Sequence, residues 1–539
     1  MTTLKKEYAV LVAALVFAFI PVAAGFLRSP EGYFFNGLIS PLDGNTYASF
    51  YNQAKDGRLL FTNEYTPEKV PHAMFRPVYL LMGLSGGLLG LPYEAAYHAF
   101  RIIMIVLLFH AVTLLIKETT GRKERTIALV LVFFSSGVGY VLRMLELFGL
   151  KRIGTSDLWL PGGITFLSIN GHPHLIASIA MMTYAAYWIV KALKNEGSKN
   201  SSHYLRNAAM VMLVLGFVHL FDDITLYAAL AITVGASMII KRTTIHQFIA
   251  KNKNLAWMLI PLIAFIYTAY LFIGIPEFSS WNAQNTLEAP KVYYFVFGYG
   301  LLWLFIAVGW AGRERIRHLV SDKATLFLAS WVAATFILVY SPMNIQRRFI
   351  EGVHIPISIL ASYGLTRIRD AIALTSWKKT AGLAAGLLVL MTVPSNLLWL
   401  YHNTPDGTET EWEVPWRVPL YLKQTDIDAM KWFGSTKDAV VITDYGHGNY
   451  LPRYSHARPY VGHWAQTISF EERASKMEKF LNSKNTQEFT GMLEEIAAEA
   501  REASGGSSVY VLLEKNRIPE GHLITSKKYE NKEIVIFTP

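Results

Sequence analysis

A succession of apolar stretches constrains this chain more than any other feature, because each is long enough to cross about 30 Å of hydrocarbon as a helix. They fall near residues 8–27, 96–116, 126–147, 255–274, 291–311, 324–341, 350–368 and 378–400. In lipid the backbone must satisfy its own hydrogen bonds, so such stretches span as helices. Residues 175–193, "LIASIAMMTYAAYWIVKAL", follow a polar "NGHPH" and make one more span. Residues 205–240 are too long for one helix and carry "HLFDD" at their middle, where a charge facing lipid costs at least about 2.5 kcal/mol. That stretch is expected to split into two short helices meeting at an aqueous surface.

Composition agrees with a polytopic membrane protein. Over 539 residues, 52% are hydrophobic and only 17% charged, more apolar than one soluble core requires. The net charge of +10 lies in short clusters between apolar segments, which argues for topology and against nucleic acid. The absence of Cys excludes a disulfide framework and any thiolate metal site. The N-terminal "MTTLKKEYAVLVAALVFAFIPVAAGF" has the basic start of a signal peptide, but its apolar run is long for one and reads as the first span.

Orientation turns on "RPVYLLMGLSGGLLGLPYEAAYHAF", residues 76–100. Four glycines and a short apolar run disfavour a crossing helix there. Placed along the interface instead, it leaves eleven spans, with the N-terminus inside and the C-terminus outside. The six inner segments then hold two Lys or Arg and, in each of the other five, four, as the positive-inside rule requires. The outer face receives the first loop (28–95), "NGHPH", "HLFDD", "SPMNIQRRFIEG" and everything after about residue 401. From there the composition is that of a soluble domain: "DAVVITDY", "SSVYVLLEK" and "KEIVIFTP" read as strands, and 425–434 and 470–503 as helical. The expected domains are 1–400, in the membrane, and 401–539, a small α/β unit outside it.

Four groups of residues are candidates for chemistry. Asp43, in "SPLDGN", suits an Asx turn or a helix N-cap, and equally a carboxylate that accepts a proton at the membrane surface. His219, Asp222 and Asp223 lie where polarity is costly and mark a cavity, or an acid there caps the helix that follows. His172 and His174 are polar neighbours of that cavity. A divalent metal with these histidines has no HExxH-type spacing behind it, and no cofactor is expected. Arg347 and Arg348 are forked donors suited to phosphate oxygens, or interfacial side chains paired with Glu351. In the soluble domain, His447, Asn449, Tyr450, Arg453, His463 and Trp464 form an aromatic and hydrogen-bonding set of the kind that binds sugars, while Gly446 and Gly448 suit a strand-to-loop turn.

This arrangement resembles the GT-C class of integral-membrane glycosyltransferases, through Asp43 in the first outer loop, an outer C-terminal domain, and "FRPVYLLMGLSGGLLGLPYEAAYHAFRIIMIVLLFHAVTLL". That string looks like the juxtamembrane helix and second span of the protein-mannosyltransferase and aminoarabinose-transferase relatives. The resemblance implies a mainly α, polytopic GT-C fold and an inverting transfer from a polyprenyl-phosphate-linked sugar to a glycan, lipid or protein acceptor. The reaction would take place at the outer face of the cytoplasmic membrane, with Asp43 as base. Mannosyltransferases usually carry adjacent acids, whereas Gly44 follows Asp43, so subgroup and acceptor do not carry over. A flippase without chemistry predicts polar residues reaching both faces and an inverted repeat, and a glycan-binding assembly protein predicts a dispensable Asp43.

Overall fold

A computed structural model describes residues 3–244, 247, 253–375, 377–412, 417–524 and 526–539. The basic segment at 241–253 lies partly outside these. Among the described residues, seven helices are long and apolar enough to cross a membrane, or up to ten if each of three bent pairs is one span. The 43-residue helix Lys199–Lys241 is broken at His219, whose φ of −155° and ψ of 88° leave the helical region. The break falls at the charged middle of the apolar run. The helix Pro77–Leu88 has 12 residues and is about 18 Å long, too short to cross alone.

The chain forms two compact units, one of Met1–Ile20, His98–Thr268 and Thr286–Asn403, the other of Pro21–Tyr97, Ala269–Asn285 and Thr404–Pro539. The first unit is a helical bundle whose core includes Ala14, Val112, Phe133, Met182, Trp331 and Ile355. Its helices approach closely where small residues allow it. A Cβ on Gly364 would stand 1.7 Å from Phe305 O, so the crossing of Leu301–Trp310 with His354–Ala373 tolerates no side chain there.

The second unit contains a five-stranded sheet in the order Arg458–Pro459, Ala439–Ile442, Ser508–Glu514, Ile534–Phe537, Lys527–Glu530. The first three strands run parallel, and Ile534–Phe537 is antiparallel to both of its neighbours. Alternation along the strands sends Val440, Ile442, Val509 and Val511 to the face covered by helices Phe470–Leu481 and Thr486–Ala503. Ala439, Val441 and Leu512 go to the face covered by Gln424–Trp432 and Tyr445–Tyr454. The expected helical stretch 470–503 is thus two helices, the second capped by Asn485, whose side chain accepts from Glu488 N.

Residues 28–95, read from the sequence as a loop of the membrane domain, belong to this second unit. Tyr33–Phe35 pairs antiparallel with Tyr421–Lys423, and the helix Pro41–Lys55 packs on Tyr445–Tyr454. Tyr445–Tyr454 replaces the expected strand-to-loop turn at Gly446 and Gly448. Asp444 caps it by accepting from His447 N at 3.0 Å, and Gly448 is required by close approach, since a Cβ there would meet Val461 O at 2.0 Å.

Candidate functional site

Asp43 occupies the first turn of Pro41–Lys55. Ser40 takes the N-cap position, so Asp43 is not the cap, although its charge suits the positive end of the helix dipole. Its side chain is 48% exposed, and its Oδ1 stands 3.1 Å from His463 Nε2. The tautomer of that histidine follows from its other nitrogen: Ala465 N–H donates to His463 Nδ1 at 3.1 Å. Nδ1 is therefore an acceptor, the ring is neutral with its proton on Nε2, and Nε2–H donates to Asp43. One carboxylate oxygen is oriented by a fixed donor while the side chain stays open to solvent. Trp464 stacks beside His463 at 6.0 Å, and Tyr65 meets it edge-on at 6.0 Å.

The helix bearing Asp43 is held by the residues expected to bind sugar. Asn45 donates to Asn449 Oδ1 at 2.7 Å, and Asn449 donates to Leu42 O at 3.2 Å. Arg453 donates to Asn45 Oδ1 at 3.0 Å, to Asn36 O and to Glu94, and lies over the rings of Tyr93, Tyr450 and Tyr454. Tyr450 donates to Pro419 O at 2.6 Å. His447 stacks on Trp412 at 3.9 Å, and its nitrogens face Asp444 and Asp426. Burial disfavours the charged ring, but the two carboxylates outweigh it and raise His447 to about 10. His447, Asn449, Tyr450, Arg453 and His463 are all buried and engaged with protein groups; Trp464 is half-buried.

In the first unit a second group forms at the helix break. His219 Nδ1 is 3.4 Å from Asp222 Oδ1 and 3.3 Å from Glu351 Oε2. Glu351 ends the turn Gln346–Ile350, which carries both arginines. Arg348 faces Glu351 Oε1 at 3.7 Å with its side chain 42% exposed, and the guanidinium of Arg347 lies 5.4 Å from the centre of the Trp159 ring. His172 stands at the N-cap position of the helix Pro173–Lys194, and its ring stacks on that of His174 at 6.0 Å. Asp223 is fully buried beside Asp222.

Two acids here escape the sequence reading. Glu351 enters it only as a partner for the arginines, although its place beside them in "QRRFIEG" was the available signal. Asp157 lies in the short turn Ser156–Leu158, fully buried, its Oδ2 accepting from Gly139 N at 3.1 Å. Burial pushes its carboxyl above the usual range, against the hydrogen bond from Gly139 N–H.

The chain is a polytopic membrane protein with the GT-C type of fold. Among solved structures, the oligosaccharyltransferase AglB of Archaeoglobus fulgidus, in complex with an inhibitory peptide and a dolichol-phosphate, superposes with a TM-score of 0.55 at 12% identity, over 94% of this chain and 69% of that one. Its apo form gives 0.56 at 12% identity over the same shares. ArnT of Cupriavidus metallidurans in the apo state covers 98% of both chains at 12% identity, with a TM-score of 0.49. No family model matches the chain, and no curated protein matches it in sequence.

Proposed function

We propose that this chain is an inverting glycosyltransferase that moves a sugar from a polyprenyl-phosphate carrier to an acceptor at the outer face of the cytoplasmic membrane, with its C-terminal unit extracytoplasmic. The carrier class is supported by the dolichol-phosphate bound to the archaeal protein of like fold and by the two guanidiniums of the turn Gln346–Ile350. Forked donors match phosphate oxygens.

The observation that carries the reading is the state of Asp43: half exposed, in the first turn of a firmly held helix, with one oxygen fixed by a neutral histidine. In this role Asp43 takes the proton of an acceptor hydroxyl as that oxygen attacks the anomeric carbon. The carbon–oxygen bond to the lipid phosphate breaks, the phosphate leaves with the bonding electrons, and Arg347 and Arg348 neutralise its charge. His463 aligns the carboxylate. His219, Asp222, Asp223, His172 and His174 shape the donor cavity, and Trp464 offers a ring face to the acceptor.

The test is transfer from a polyprenyl-phosphate-linked sugar by Asp43→Asn, with donor binding measured in parallel. The amide cannot accept the proton, so a loss of about 10²–10⁴-fold in turnover is expected, with donor affinity retained. Near-normal turnover removes the assignment of the base. Arg347→Ala is expected to weaken donor binding instead.

A further inference from the structure

We infer that His219, Asp222 and Glu351 form a binding site for one divalent transition-metal ion, of the Zn²⁺ or Mn²⁺ class, at the break of the helix Lys199–Lys241. Each residue offers one ligand atom, and the three atoms lie within 4.8 Å of one another. The imidazole nitrogen is 3.4 Å from the Asp222 oxygen and 3.3 Å from the Glu351 oxygen. A tetrahedral ion with ligands at about 2.0–2.1 Å puts neighbouring donor atoms roughly 3.3 Å apart. One imidazole and two carboxylates suit such an ion and leave a position for water or an anionic oxygen.

The hydrogen-bonding state of the carboxylates points independently to a ligand. Asp222 is 1% and Glu351 4% exposed, yet among the described residues Asp222 Oδ2 and Glu351 Oε2 have no hydrogen-bond partner. Ser178 stands beside Asp222, but its hydroxyl donates to Leu175 O at 2.9 Å. Buried carboxylate oxygens are ordinarily paired or bound to metal. Asp223 is buried beside Asp222, and Arg348, itself 42% exposed, faces Glu351 Oε1 at 3.7 Å.

The ion would tie the broken helix to the turn Gln346–Ile350 through one residue on that turn's C-terminal side and two at the break. The inference does not rest on the transferase reading, and its test needs no substrate. Full-length protein in detergent is stripped with a chelator, reloaded with Zn²⁺ or Mn²⁺ alone, and freed of excess ion by gel filtration. Bound metal is counted by mass spectrometry, and Mn²⁺ also by electron paramagnetic resonance. Wild type is expected to retain one ion per chain and to melt at a higher temperature with the ion than after chelation. His219→Gln and Glu351→Gln should lose more than the roughly 10–100-fold in affinity that removal of an outer-sphere partner causes. Glu351→Asp keeps a carboxylate, should bind weakly, and serves where the Gln variant does not fold. His172→Gln should retain the ion. No ion in wild type, equal occupancy in Glu351→Gln, or loss on removing His172 in place of His219 would each overturn the site.

Discussion

Replacing Arg453 by Met should loosen the helix that carries Asp43 while leaving the sheet of the second unit intact. The guanidinium is 3% exposed and serves three acceptors at once: Asn45 Oδ1, Asn36 O and the Glu94 carboxylate. Methionine fills much of the same volume and donates nothing. Asn36 and Asn45 are buried, so their acceptors lose a partner at about 1–3 kcal/mol each. Glu94 is 33% exposed and can hydrate, so its freed charge adds little. After partial relaxation the net effect is roughly 2–4 kcal/mol, or about 30- to 700-fold in a local opening equilibrium. Amide hydrogen exchange reads that equilibrium directly. Protection across Pro41–Lys55 should fall by that factor in Arg453→Met, whereas protection of Ser508–Glu514 should not change. Arg453→Lys keeps the charge without the fork and should fall between. Unchanged exchange in 41–55 would refute the claim that this side chain fastens the Asp43 helix.

Two further predictions concern the same unit. His456 bridges Glu64 and Asp56, each at 2.7 Å, and its hydrogen bond to Glu64, against partial burial, raises it to about 9. A raised histidine stabilises fully below its unfolded value of about 6.5 and loses that contribution as pH rises through the folded value. The melting temperature of wild type should therefore fall more between pH 6.5 and 9 than that of His456→Gln; parallel curves would exclude the bridge as a source of stability. Gly448→Ala places a Cβ 2.0 Å from Val461 O, against backbone that cannot rotate away, and should destabilise the second unit by about 1–3 kcal/mol in chemical denaturation. An unchanged midpoint would show that the helix shifts freely.

The sequence carried the helical layout because lipid solvent leaves a strong periodic trace, and the break at His219 was legible because "HLFDD" interrupts an apolar run. The strands Ala439–Ile442 and Ser508–Glu514 were likewise legible as short apolar runs. What escaped was long-range pairing. Nothing local in "SPLDGNTYASF" announces that Asn45 will meet Asn449 and Arg453, some 400 positions away. The start of the segment Tyr445–Tyr454 reads as a strand-to-loop turn from Gly446 and Gly448. It is helical because Asp444 caps it and because Gly448 fits under Val461. Residues read as ligand-facing turned out to be buried for the same reason: an Arg or His that binds a ligand and one that locks a helix have the same composition signal. Glu351 was read only as a partner of the arginines, because its proximity to His219, 132 positions earlier, is concealed by the chain order.

The acids of this protein differ in access, and access separates the chemistry they can perform. Asp157 is fully enclosed, its Oδ2 accepting a backbone amide, so an external hydroxyl has no access to it. Asp222, Asp223 and Glu351 are enclosed as well, and a carboxylate bound to a metal ion has its lone pairs engaged. Asp43 is the contrary case. It is 48% exposed, and Nε2–H of His463 reaches its Oδ1 at 3.1 Å. Because His463 accepts from Ala465 N, its Nε2–H is the donor that aligns the carboxylate. A general base needs that combination of access and fixed orientation. Removing the donor while keeping the acid, as in His463→Phe, should therefore cost less turnover than Asp43→Asn, and equal losses would mean that the histidine itself carries the proton.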